Sequence, residues 1–148
     1  MSKFAEEKRG ILFLVFVMSV SIVIYGGVVF LVTSAGRFVN APDRMGSVRP
    51  VVWLLSLALL ALAAWKVPQV AAGASRDGLL PGPEFRARIF VAMICSEGAA
   101  VLGLVLAFVS HRFSDFAVPA GAALLLIGAH VTPTTLRYFA ERARAERG

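Results

Sequence analysis

The sequence is poor in what a water-soluble domain needs. Only 16% of its 148 residues are charged, and nine are acidic. A soluble domain of this length clothes its surface in polar side chains, which 58% apolar residues and a mean hydropathy of +0.78 exclude. Cysteine is as scarce. The lone Cys95 cannot form an internal disulfide, and the two histidines, His111 and His130, make no metal-ligand spacing with it. No metal and no cofactor is expected. Fifteen Lys and Arg give a net charge of +6, but they lie at the ends of apolar runs rather than in a patch with aromatics. Such charges report membrane topology, and no nucleic acid is expected as a partner.

What the sequence does have is four long apolar runs. The first, residues 11–33, follows the leader Lys3, Glu6, Glu7, Lys8 and Arg9 and carries no charge. At roughly 1.5 Å per residue it makes about 34 Å of helix, enough to cross a bilayer. It is also longer than the apolar core of a cleaved signal, typically about 7 to 15 residues. After a linker with Gly36, Pro42 and Asp43, the second span, 50–72, opens at Pro50, a residue suited to the first helical position. Lys66 near its end is expected to snorkel beside Trp65, and Pro68 to bend the last turns. Gly73 to Glu84, with Gly78, Pro81, Gly82 and Pro83, reads as a loop. The third span covers 86–110, the fourth 115–136, and 137–148 form a charged tail. The expectation is an all-α polytopic protein, one membrane domain of four transmembrane helices arranged as two hairpins.

Orientation follows from the basic residues. The leader (Lys3, Lys8, Arg9), the second loop (Arg76, Arg86, Arg88) and the tail (Arg137, Arg142, Arg144, Arg147) hold ten, against four on the other side, Arg37, Arg44, Arg49 and Arg112. The positive-inside rule then places both termini in the cytoplasm. An integral protein of the bacterial inner membrane is expected.

Glu97 is the one acidic residue inside these predicted spans. It lies nine positions beyond Arg88, about 13 Å along the helix and so near mid-membrane. A carboxyl at that depth has to be neutral, paired or in contact with water, which makes it a candidate functional group. His130 lies seven residues before Arg137, about 10 Å from the end of its span and close to the same depth. The two are candidate ion-binding residues if the third and fourth spans pack face to face. Ser96, Gly98, Ala99, Ala100 and Gly103 permit close helix contact, so a purely structural hydrogen-bonding role for Glu97 stands beside the ion-binding one. An enzyme is not expected: Cys95 and Ser96 neighbour Glu97 but are turned away from it by about 100° per residue, and no nucleophile converges with a base.

The first and third spans also align without gaps at an offset of 77 residues, which sets Ser19 over Ser96, Gly26 over Gly103, Val28 over Val105 and Val32 over Val109. This points to an internal repeat and to a helix-packing face built on Gly26, Gly98 and Gly103. Over these residues the chain resembles the carboxylate-bearing helix of the proteolipid (c) subunits of rotary ATP synthases and vacuolar-type ATPases. Glu97 to Leu106 keeps the spacing from carboxylate to glycine, and Ile24-Tyr25-Gly26-Gly27-Val28-Val29 keeps the aromatic and glycine core, with Val20 at the carboxylate position. The likeness covers about 14 residues in each span. The helix before Glu97, Val51 to Ala72, has no glycine repeat, and the family's Arg-Gln-Pro loop signature is missing. The resemblance implies that Glu97 is the ion-carrying carboxylate of a small membrane protein working as a homo-oligomer or with other membrane subunits. The alternative is a non-catalytic membrane subunit or assembly factor of a larger complex.

Overall fold

The computed structural model describes residues 3–35, 46, 48–76 and 82–145, with side chains described for 6–35, 46, 48–66 and 82–145. Gly36, Arg37, Pro42, Asp43, Arg44, Gly78, Pro81 and Arg147, and the side chains of Lys3, Pro68 and Arg76, lie outside this description. The described chain is helical: α1 (Lys3–Ser34), α2 (Val48–Arg76), α3 (Gly82–Ser110), α4 (Phe113–Leu126), a π-helical turn (Ile127–Val131) and α5 (Thr132–Ala145). Four helical rods are long and apolar enough to cross a membrane, the fourth running unbroken from Phe113 to Ala145. The outer surface carries Phe13, Leu31, Leu54 and Leu125, each about two-thirds exposed or more (66–72%). A soluble monomer rarely shows apolar surface of that extent. The chain is an integral membrane protein.

The helices are longer than the apolar runs alone suggest. α2 continues to Arg76 and α3 begins at Gly82, so the loop expected over Gly73 to Glu84 is narrower. Pro83 falls in the first turn of α3, where its missing N–H has no intrahelical acceptor to serve. The fourth span likewise begins at Phe113 rather than 115, and it continues through the segment read as a tail.

Contacts between distant residues fix the directions of the rods. Glu7 on α1 meets Arg86 at the start of α3 and Arg142 near the end of α5, 3.2 and 3.5 Å away. At the other end Arg49 on α2 meets Asp115 on α4, and Phe30 on α1 sets its ring edge-on to Phe113. The rods therefore alternate in direction, with the described ends near the two termini on one side. α3 is the centre: it packs most extensively on α2 and α4, while α1 lies along α3 and α4 and scarcely touches α2. Small buried residues on α3, among them Ala92, Ser96, Ala99, Ala100, Gly103 and Ala107, allow this. Lipid gives no hydrophobic drive for helices to associate, so close van der Waals contact must supply it.

Gly103 shows how close. A Cβ placed there would stand 2.5 Å from the Pro119 ring and 3.0 Å from the Asp115 carbonyl. Pro119 in turn has no N–H to give that carbonyl, four residues earlier in its helix. Gly26 faces the same region of α4, where a Cβ would lie 3.2 Å from the Phe116 ring, and at Gly98 one would touch Leu59 of α2 at 3.4 Å.

The π turn has a local cause. Pro133 cannot donate to the carbonyl of Ala129, and its ring crowds that group. The helix widens just before it: the Thr132 backbone N–H and hydroxyl both donate to the Ile127 carbonyl, the hydroxyl at 2.9 Å. Beyond the turn, Tyr138 stacks on Phe85 at 3.7 Å between ring centres, and Phe139 meets Phe85 edge-on. Residues 137–145 are thus helical and in part packed against α3.

Candidate functional site

A second carboxylate, Asp115, is held in the apolar rods away from the charged ends near the termini. Expected only as the boundary of the fourth span, it falls inside because the helix starts two residues earlier. It is fully buried. Arg49 donates to its Oδ1 from Nε at 3.1 Å and from Nη2 at 2.7 Å, and the indole N–H of Trp53 donates to the same oxygen at 3.3 Å. The Ser110 hydroxyl donates to Oδ2 at 2.6 Å. Arg49 and Trp53 are four residues apart on α2, hence on one helical face, and Ser110 closes α3. The connection that brings Ser110 to Asp115 is tight: His111 adopts φ 56°, the Ser110 hydroxyl accepts the Arg112 N–H, and the Asp115 N–H reaches the Arg112 carbonyl. Histidine is among the non-glycine residues enriched in that left-handed region. The result is a four-donor clip that fastens α2 to the α3–α4 turn.

Glu97 is built the other way. It is half-buried on α3 and makes no hydrogen bond or ion pair among the described residues. Neither of its oxygens is among the sealed polar atoms that lack a partner, so the carboxyl opens to the surface of the four-helix unit. Its neighbours on that helical face, Phe90, Ile94, Val101 and Val105, are exposed hydrophobics. The carboxyl therefore sits at the edge of the lipid-facing stripe of α3, with Gly98 beside it leaning on α2.

His130 is exposed in the π turn. No hydrogen bond or ion pair joins it to Glu97 among the described residues, so the structure does not unite the two candidate ion-binding residues. Lys66 holds its ammonium 5.2 Å from the centre of the Trp65 ring, within cation–π range. Among the described residues no three His, Cys, Asp or Glu side chains gather into a metal-binding group.

Sequence reasoning missed the Asp115 clip because its partners are 62 and 66 residues away in the chain. The available signal was Arg49 with Trp53 at helical spacing, at the same end of the bundle as an aspartate. Comparison with protein families, with curated proteins and with solved structures finds no match to this chain.

Proposed function

We propose that the chain is a membrane-embedded subunit that offers the Glu97 carboxyl on its outer face to a proton or small cation, and that a neighbouring copy or subunit completes the site. The observation that carries this reading is the placement of Glu97: a carboxyl in an apolar helix, without a hydrogen bond or ion pair among the described residues and open to the surface. A bare charge facing hydrocarbon is unstable, so the group either holds a proton or meets a polar group that the single chain does not supply. The likeness of the Glu97 helix to proteolipid subunits supports the same role. The second reading, a non-catalytic membrane subunit, is favoured by the ion pairs that tie helices together at both ends of the bundle, which suit a scaffold.

Infrared difference spectra of proteoliposomes across a pH step separate the two. The ion-binding reading expects a carboxyl C=O band that appears and disappears with pH in the wild type and is absent in Glu97→Gln. An identical band in both proteins assigns the titration elsewhere and leaves Glu97 a structural group.

A further inference from the structure

A groove lies between α1 and α3 at the end where the described parts of the two termini meet. It has a volume of about 510 Å³. Its walls are almost wholly apolar, with Gly10 and Leu14 on α1 facing Ala87 and Phe90 on α3, and Arg86 stands at its rim. Gly10 leaves space rather than contact: a Cβ there would meet nothing within 4 Å.

The charge at the rim is unbalanced. Glu7 serves two guanidinium groups, Arg86 at 3.2 Å and Arg142 at 3.5 Å, so this triad keeps one net positive charge; Lys8 and Arg9 outnumber Glu6 on α1, and Glu84 is paired with Arg88 at 3.8 Å. The shortest contact of Arg86 with Glu7 is through Nε. Nη1 and Nη2 of Arg86 make no hydrogen bond among the described residues, and the side chain is 54% exposed. A guanidinium with both terminal nitrogens unused matches the oxygens of a phosphate. An apolar channel that begins beside it matches a hydrocarbon chain and has no use for a free anion.

We propose that this groove binds an anionic phospholipid, its phosphate held by the terminal nitrogens of Arg86 and one acyl chain laid between Gly10 and Phe90. Basic pockets between transmembrane helices recognise acidic headgroups in this way, through local charge and close contact rather than bulk membrane attraction. The acyl chain runs along one helical turn on each wall, about 6 Å from Gly10 to Leu14 and from Arg86 to Phe90. The site is separate from Glu97 and stands whether or not Glu97 binds an ion.

The test uses the full chain purified in a neutral detergent and native mass spectrometry. Three probes are offered separately: phosphatidylglycerol, phosphatidylcholine and glycerophosphate, the last a headgroup without tails. Wild type is expected to retain phosphatidylglycerol at least about tenfold better than either of the others, the scale set by losing a charge-assisted hydrogen bond. Gly10→Leu, whose Cβ meets nothing within 4 Å and whose branched end adds bulk to the groove, and Arg86→Gln, which removes the fork, are each expected to abolish that preference. Circular dichroism and gel filtration identify any variant that fails to fold, and Ala87→Leu then replaces Gly10→Leu and Arg86→Lys replaces Arg86→Gln. Equal retention of the two phospholipids by wild type overturns the proposal. So does tight binding of glycerophosphate alone, and so does undiminished selectivity in a folded groove-filling variant.

Discussion

Asp115 and Glu97 are the same chemistry placed in opposite surroundings. Asp115 is sealed, and four donors from three side chains converge on its carboxylate. Glu97 keeps its oxygens at the surface and has no hydrogen bond or ion pair among the described residues. A buried carboxylate with its hydrogen bonds satisfied has nothing left to offer a ligand, and removing any partner strands a charge. One left unsatisfied at a lipid-facing edge contributes little to the fold that is already formed. Acidic residues in apolar helices therefore divide by their donors, and depth alone does not sort them.

The largest effect is expected at Asp115. Asp115→Ala strands the Arg49 guanidinium and is expected to destabilise the folded protein by about 3 kcal/mol, read as a fall in unfolding midpoint in mild detergent. Gly103→Ala comes next: its new methyl meets Pro119 and the Asp115 carbonyl, and overpacking of this kind costs about 2 kcal/mol. That variant loosens the helix pair beneath the clip while leaving every donor in place. Trp53→Phe keeps the ring volume and deletes one donor, for about 1 kcal/mol. Glu97→Gln is expected to change stability by less than about 0.5 kcal/mol, as substitutions away from buried networks do. A Glu97→Gln loss equal to that of Asp115→Ala would erase the distinction between the two carboxylates.

The spans were legible because each rests on local information: an uncharged apolar run long enough to cross a bilayer is visible without knowing its neighbours. The ends of the helices were less so. Gly73, Gly82 and Pro83 signal a break, yet α2 persists to Arg76 and α3 resumes at Gly82, since helix termini tolerate these residues. The site was legible in depth and not in direction. Counting residues from Arg88 and Arg137 puts Glu97 and His130 at similar heights, but whether two side chains meet depends on how each helix is rotated. That rotation is set by contacts such as Gly103 on Pro119 and Phe30 on Phe113. Glu7, read as part of a charged leader, shows the same limit: its partners on α3 and α5 lie 79 and 135 residues further along.

The π turn at Ile127–Val131 acts as a phase shifter for the last helix. An α-helix advances about 100° per residue, so a turn that absorbs one residue more than usual resets the azimuth of everything beyond it by that amount. In this setting α5 delivers Tyr138 and Phe139 to Phe85, and Arg142 to Glu7. Without the widened turn the same sequence would continue as a rod of nearly the same length, with those aromatic rings swung away from α3 and Glu7 left to Arg86 alone. The coupling of the first helix to the last thus rests on an angle, and that angle is set by one residue's worth of slack ahead of Pro133.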